Sequence, residues 1–206
     1  MQDKKVLICV GRQLGAGGRE IGKLLADEFG AKYYDREILN MAAKESGYSE
    51  KFFEQNDERK GFFRSLLNIQ TPHFNGGSLY KSNFSQESLF QFQSDAIRKA
   101  AEQSSCVFLG RCADYVLRDF PNVVNVFITA SMRTRIDRIL EYQSVTPQQA
   151  KRIILHAEGQ RASYYNFFTG KKWGAAECYD LCIDSSILGY EESAKIITSF
   201  IRKKLS

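Results

Sequence analysis

Short apolar segments alternate with segments of helical periodicity along most of the chain. The apolar segments are residues 6–10, 31–34, 106–109, 123–128 and 179–184. Strands of a parallel sheet are covered on both faces, so they read as continuous apolar runs instead of alternating ones. Five such strands with helices between them predict an α/β protein, in which a parallel sheet carries helices on both faces.

The periodic segments predict the helices that connect these strands. The first begins near Ile21 and ends at Gly30, because apolar residues recur there at helical spacing and glycine often ends a helix. Further helices are predicted over residues 86–103, 131–142 and 191–203, and one is predicted to begin at Thr146. Residues 49–85 lack a long period, which predicts an inserted subdomain with short helices and a glycine turn.

A glycine-rich turn follows the first apolar segment. Residues 11–20 read Gly-Arg-Gln-Leu-Gly-Ala-Gly-Gly-Arg-Glu, with four glycines in the first eight positions. Glycines let backbone N–H groups converge without obstruction by a Cβ, and a helix N-terminus adds unpaired donors and the positive end of a dipole. The turn is therefore predicted to bind phosphate.

This turn departs from the P-loop pattern G-x-x-x-x-G-K-[ST], whose lysine reaches the β- and γ-phosphates and whose hydroxyl holds Mg²⁺. With Gly17 as the second glycine, Gly18 stands at the lysine position and Arg19 at the Ser/Thr position. Another cation must then meet the phosphate charge. We predict that Arg19 does so, because a basic residue in the first helical turn is unfavourable unless it meets an anion. Arg12, at the first-glycine position, is the alternative.

Polar residues follow the predicted strands. Residues 11–19, 35–36, 110–114 and 129–138 each come directly after a strand. Ligands of parallel α/β sheets bind at the carboxyl ends of the strands, so these segments are predicted to form the ligand site. The net charge of +5 fits a site for several phosphates, since arginine suits phosphate oxygens. Nucleic-acid binding is not predicted, because the chain has neither a basic stripe with interleaved aromatics nor a recognised module.

The composition is that of an ordinary globular protein. A length of 206 residues suits one domain with an inserted subdomain. Apolar runs fall well short of the roughly 18 residues of a membrane span, and neither a span nor a signal peptide is predicted. The five cysteines form no C-x-x-C pair, which predicts reduced thiols in a cytoplasmic protein. The isolated His73 and His156 predict no zinc site.

Five motifs carry a resemblance to a known family. They are residues 11–21, 33–38, 110–115, 164–174 and 179–184. In this order they resemble the bacterial cytidylate kinase-like family, a divergent branch of the P-loop nucleoside monophosphate (NMP) kinases with Gly-Gly-Arg in place of Gly-Lys. The resemblance covers nearly the whole chain apart from residues 50–85.

The resemblance implies a P-loop NTPase-type three-layer α/β fold with a five-stranded parallel sheet and helical NMP-binding and LID segments. It implies one domain over residues 1–206, with the NMP-binding insertion at about 36–85 and the LID at about 140–178. The implied activity is transfer of the ATP γ-phosphoryl group to CMP or dCMP, giving CDP or dCDP. The implied cofactor is Mg²⁺, carried by the nucleotide phosphates and with no protein ligand assigned.

The resemblance and the loop chemistry together assign site residues. The ATP phosphates are assigned to Gly15, Ala16, Gly17, Gly18, Arg19, Glu20, Arg135 and Arg138. The NMP is assigned to Asp35, Arg36, Arg111 and Asp114, and catalysis to Arg19, Arg12 and Arg161. Cys112 stands where the family has an aspartate after Gly-Arg.

Two other functions stay open at this stage. The departure at Cys112 is compatible with a kinase for another small-molecule acceptor. The absent lysine is compatible with a regulatory protein that binds nucleotide without turnover. The sequence makes no prediction about oligomeric state.

Overall fold

The structure is a computed structural model that describes residues 5–35, 38, 41 and 79–206. Its described part contains one sheet of five parallel strands in the order β2-β3-β1-β4-β5. The strands are β1 (Leu7–Arg12), β2 (Lys32–Tyr34), β3 (Cys106–Leu109), β4 (Val123–Thr129) and β5 (Leu181–Asp184). Because β1 is the central strand, the glycine-rich turn leaves the middle of the carboxyl edge of the sheet.

The helices of the described residues lie between these strands. They are α1 (Gly18–Glu28), α2 (Leu79–Gln103), α3 (Ala113–Val116), α4 (Met132–Tyr142), α5 (Pro147–Thr169) and α6 (Ser185–Leu205), with a 3₁₀ turn at Ala176–Cys178. The predicted start at Thr146 is confirmed, since its hydroxyl accepts from Gln149 N at 3.3 Å while Gln149 Oε1 accepts from Thr146 N. Helix α6 begins at Ser185, before the predicted residue 191, and the non-helical Gly189, with φ 71° and ψ −173°, separates a short first segment from the predicted one.

Two apolar cores cover the two faces of the sheet. Leu7 and Cys9 of β1 belong to the core that includes Ile97 of α2. The alternate residues Ile8 and Val10 belong to the core that α1 and α6 cover. Successive side chains of a strand point to opposite faces, so this division shows helices on both sides of the sheet. The predicted three-layer α/β fold is confirmed.

Some predicted segments lie outside the described residues. The predicted NMP-binding insertion at about 36–85 is described only at residues 38, 41 and 79–85, and Arg36 falls outside. The predicted LID at about 140–178 includes the end of α4, the whole of α5 and the 3₁₀ turn. Among the described helices, none combines the length and the apolar character that crossing a membrane requires.

Candidate active site

The glycine-rich turn forms a loop between the end of β1 and the start of α1. Gly15 and Gly17 have φ values of 78° and 76°, which residues with a side chain rarely adopt. A Cβ at Gly17 would also collide with the ring of Tyr190. Gly17 precedes α1 without any side-chain hydrogen bond to the first turn. The first amides of the helix are therefore not capped by the residue before it, which is the arrangement that an anion site requires.

Hydrogen bonds from α4, from the start of α6 and from the end of β4 hold the loop in place. Arg138 Nη1 donates to Gly15 O and to Ser185 Oγ, both at 3.1 Å. Ser185 Oγ in turn donates to Ala16 O at 2.7 Å, and Gln13 Oε1 accepts from Ala130 N at 3.3 Å. These contacts fix the loop from the β4 and β5 side. Arg138, assigned from sequence to the ATP phosphates, thus contacts the loop backbone itself.

A cleft of about 180 Å³ lies over the loop, and we call it the donor cleft because the sequence assigns most of its charged residues and glycines to the ATP phosphates. Most residues assigned from sequence to the ATP phosphates line it. They are Gly15, Gly17, Gly18, Arg19, Glu20 and Arg138, joined by Arg12 and Arg161. The buried Ala16 contributes its backbone to the loop. The structure therefore brings together the residues that the glycine pattern and the family motifs assign to one ligand.

A second, smaller cleft of about 40 Å³ begins beside the first, and we call it the acceptor cleft because the sequence assigns two of its residues to the NMP. Its lining includes Arg111 and Asp114, which the sequence assigned to the NMP, and four aromatic residues. The aromatic residues are Tyr164, Tyr165, Trp173 and Tyr179. Arg12 and Arg161 line both clefts. The junction of the donor and acceptor clefts is therefore marked by two arginines.

Sequence reasoning missed Trp173 and Tyr179 as site residues. Both pack on Phe127 of β4, with ring centroids 5.3 Å and 4.8 Å away. The Tyr179 hydroxyl accepts a hydrogen bond from Gly174 N at 3.3 Å. This bond joins two parts of the segment between α5 and β5. Both residues stand in family motifs, and that was the signal available. Apolar periodicity could not identify them, because they follow α5 in irregular chain.

Asp114 is a buried carboxylate in the acceptor cleft. It is 7% exposed, and its Oδ2 accepts from the Tyr165 hydroxyl at 2.6 Å. Burial raises the pKa of Asp114 above its usual 3.8, and the hydrogen bond from Tyr165 opposes that rise. Burial, and then the contact with Asp114, raise the pKa of Tyr165 as well. This pair joins α5 to α3.

The Asp114–Tyr165 pair predicts a pH-dependent loss of stability in Tyr165→Phe. The pKa of Asp114 in the folded protein lies above 3.8. Its contribution to the unfolding free energy is therefore fully present below pH 3.8, and it is lost as the pH rises through the folded pKa. Tyr165 limits this loss by donating to the carboxylate. We expect Tyr165→Phe to lower the unfolding free energy by about 1.5–3 kcal/mol at neutral pH, and by less as the pH falls toward 3.8.

Urea unfolding over a pH series measures this difference. The matched control is Tyr142→Phe, whose side chain is exposed, and it should change stability little at any pH. A loss in Tyr165→Phe that is equal at all pH values would contradict the role given to the ionised carboxylate.

Arg19 and Asp35 contact each other. Arg19 Nε and Nη2 donate to Asp35 Oδ2 at 3.2 Å and 2.8 Å. The Arg19 side chain keeps 42% of its surface exposed, against 13% for Asp35. The sequence assigned Arg19 to the ATP phosphates and Asp35 to the NMP. The structure joins them in one ion pair, between the first turn of α1 and the end of β2.

Arg135 lies in a different environment from Arg138. It is 5% exposed, and its Nη1 pairs with Glu158 of α5. The Arg135 backbone packs against Gly15, but its side chain lines neither of the two clefts. Arg135 thus joins α4 to α5, and the structure does not bring its guanidinium to the other residues assigned to the ATP phosphates.

The loop does not fit a Mg²⁺ ion held directly by the protein. The hydroxyl of a standard P-loop is replaced by Arg19, a cation already paired with Asp35. Within the described part of the chain, no group of three or more His, Cys, Asp or Glu side chains is arranged to hold a metal ion. The Mg²⁺ expected with ATP would therefore depend on phosphate oxygens.

Several solved structures are similar to this chain. An uncharacterized protein from Eubacterium ventriosum is 25% identical with a TM-score of 0.73, and the match covers 96% of this chain and 99% of that one. Shikimate kinase from Acinetobacter baumannii, in complex with shikimate, is 11% identical with a TM-score of 0.54, over 98% and 96% of the two chains. A gluconokinase from Sinorhizobium meliloti is 11% identical with a TM-score of 0.51, over 97% and 93%. The two kinases show that the fold is shared.

The chain matches no curated protein sequence. Residues 7–187 match the cytidylate kinase-like family. The matched segment includes β1, most of the residues that line the two clefts, and the start of α6. The glycine loop, the Gly-Arg segment after β3 and the aromatic segment after α5 all fall within this match. On this evidence, the chain belongs to the cytidylate kinase-like family.

Proposed function

We propose that this protein transfers the γ-phosphoryl group of ATP to a nucleoside monophosphate, with CMP or dCMP as the acceptor. Membership of a kinase-like family supports phosphoryl transfer. The observation that carries the proposal is the junction of the two clefts at Arg12 and Arg161. One cleft lies over the glycine-rich loop at the start of α1 and the other has an arginine and aromatic rings, so a donor and an acceptor could meet between them.

The proposed mechanism depends on position and charge. Phosphoryl transfer requires an in-line arrangement of donor and acceptor oxygens, with cations around the transferred group. The amides at the start of α1 would bind the donor phosphates. Arg12 and Arg161 would stabilise the charge that develops on the γ-phosphoryl group as it leaves ADP, and Arg111 would orient the acceptor.

The lining of the acceptor cleft supports an aromatic, anionic acceptor. Tyr164, Trp173 and Tyr179 offer ring surfaces to a base, and Arg111 offers a guanidinium to a phosphate. A second candidate, a kinase for another small acceptor, is favoured by Cys112, since a buried thiol stands where the family has an aspartate. A nucleotide-binding regulatory protein without turnover is the third.

A coupled ADP-release assay with a panel of acceptors tests the proposal. The panel contains CMP, dCMP, UMP, AMP, shikimate and gluconate, and ATP binding is measured in parallel by calorimetry. We expect turnover with CMP or dCMP above that with every other acceptor. Turnover with another acceptor alone would support the second candidate, and ATP binding without any turnover would support the third.

A further inference from the structure

Gly18 stands where a P-loop has its lysine, and the space beside it is filled. A Cβ built on Gly18 would be 2.6 Å from both Cβ and Cγ of Arg12, and 3.6 Å from its Cδ. Real Cβ atoms do not approach carbon atoms this closely, so any side chain at position 18 would displace Arg12. The stem of Arg12 therefore lies where the side chain of the lysine would begin.

The rest of Arg12 continues across the carboxyl edge of the sheet. Its guanidinium reaches Gly110, at the end of β3, where an added Cβ would collide with Nη1 and lie 3.3 Å from Cζ. Arg12 thus passes over two glycines, one at the start of α1 and one after β3. Its position at the shared wall of the donor and acceptor clefts follows from this path.

The end of β1 is held in place by the helix that covers it. Arg161 of α5 donates from Nη1 to the carbonyl oxygen of Arg12 at 3.0 Å. Arg19, the other candidate cation, is half exposed and is held by Asp35 through two of its nitrogens. Arg19 lines only the donor cleft, whereas Arg12 borders both clefts.

We propose that Arg12 has taken over the role of the P-loop lysine, so that the cation of the loop comes from the end of β1 and not from α1. This inference rests on the proposed function. In the transfer, an acceptor oxyanion forms a bond to the γ-phosphorus while the bond to the β,γ-bridging oxygen breaks and its electron pair stays with ADP. Arg12 remains protonated throughout and stabilises the charge on the β- and γ-phosphate oxygens.

An exchange of the two residues tests the inference. We expect Arg12→Ala to lower kcat by about 10²–10³-fold, as when one preorganised donor is removed. Gly18→Lys alone should lower both activity and thermal stability, because the new side chain meets Arg12. The double variant Arg12→Ala/Gly18→Lys should recover at least about ten-fold over Arg12→Ala, because lysine then enters the vacated space and can reach the phosphates.

Arg133→Ala is the matched control, since this arginine is exposed on α4 and should leave kcat and ATP affinity unchanged. Circular dichroism and melting temperature establish that each variant is folded. A larger loss in Arg19→Ala than in Arg12→Ala would overturn the inference, as would a folded double variant that is no more active than Arg12→Ala.

Affinity for ATP, measured by calorimetry, separates this inference from the proposed function. If the wild-type protein binds ATP but phosphorylates no acceptor, the proposed function fails. Weaker ATP binding in Arg12→Ala, restored in the double variant, would still support the assignment of Arg12. An unchanged ATP affinity in both variants would overturn it, and a wild-type protein that binds no ATP would overturn both.

Discussion

Arg161→Ala is expected to lower kcat by about 10²–10³-fold with the acceptor that the wild-type protein uses. The Arg161 guanidinium lies at the junction of the two clefts, and it fixes the carbonyl oxygen of Arg12. Its removal takes away one positive charge from the transferred group and one hydrogen bond from the end of β1. The unfolding free energy should fall by only about 1 kcal/mol, because that bond is partly exposed.

Steady-state kinetics and urea unfolding measure these two effects. Arg152→Ala is the matched control, since Arg152 belongs to the same helix but is exposed away from both clefts. It should retain the wild-type kcat and KM. Equal activities of the two variants would show that Arg161 only packs α5 against the core.

The second large effect is expected on stability. Arg135→Ala should lower the unfolding free energy by about 3 kcal/mol, because it leaves the carboxylate of Glu158 partly buried without its partner. The side chains of Arg135 and Glu158 are only 6% and 17% exposed, so water replaces the lost ion pair poorly. Chemical denaturation of the wild-type protein and the variant measures the difference.

The double variant Arg135→Met/Glu158→Leu tests what Arg135 does. Replacing both members of a buried pair by apolar residues is often close to neutral, so stability should return to within about 1–2 kcal/mol of wild type. ATP affinity should then be unchanged, because the guanidinium lines neither cleft. A folded double variant that has lost ATP affinity would instead support the assignment of Arg135 to the phosphates.

The sheet and the loop could be predicted from sequence because their signals are local. Residues 7–10 form an unbroken apolar run because β1 buries both of its faces. The glycines after this run indicate a turn, in which Gly15 and Gly17 have φ values of 78° and 76°. The family motifs extended the predicted site to the Gly-Arg segment after β3. These local signals were enough to assign the glycines and charged residues of the donor cleft and part of the acceptor cleft.

The partners of the arginines could not be predicted in this way. Arg135 and Arg138 are three residues apart and were assigned to one ligand, yet one pairs with Glu158 and the other holds the Gly15 carbonyl. The partner of each arginine depends on how α5 and β5 pack against α4. A local sequence pattern does not predict that packing. The same holds for Arg12, whose path depends on a glycine after β3, far along the chain.

The overlap between Arg12 and a side chain at position 18 also restricts how such a loop evolves. A lysine at position 18 is unfavourable while a long side chain occupies position 12, since its Cβ would lie 2.6 Å from that side chain. Exchanging one arrangement for the other therefore requires changes at both positions, and either single change gives a protein that lacks both cations or contains the overlap. We accordingly expect the residues at positions 12 and 18 to vary together among related chains.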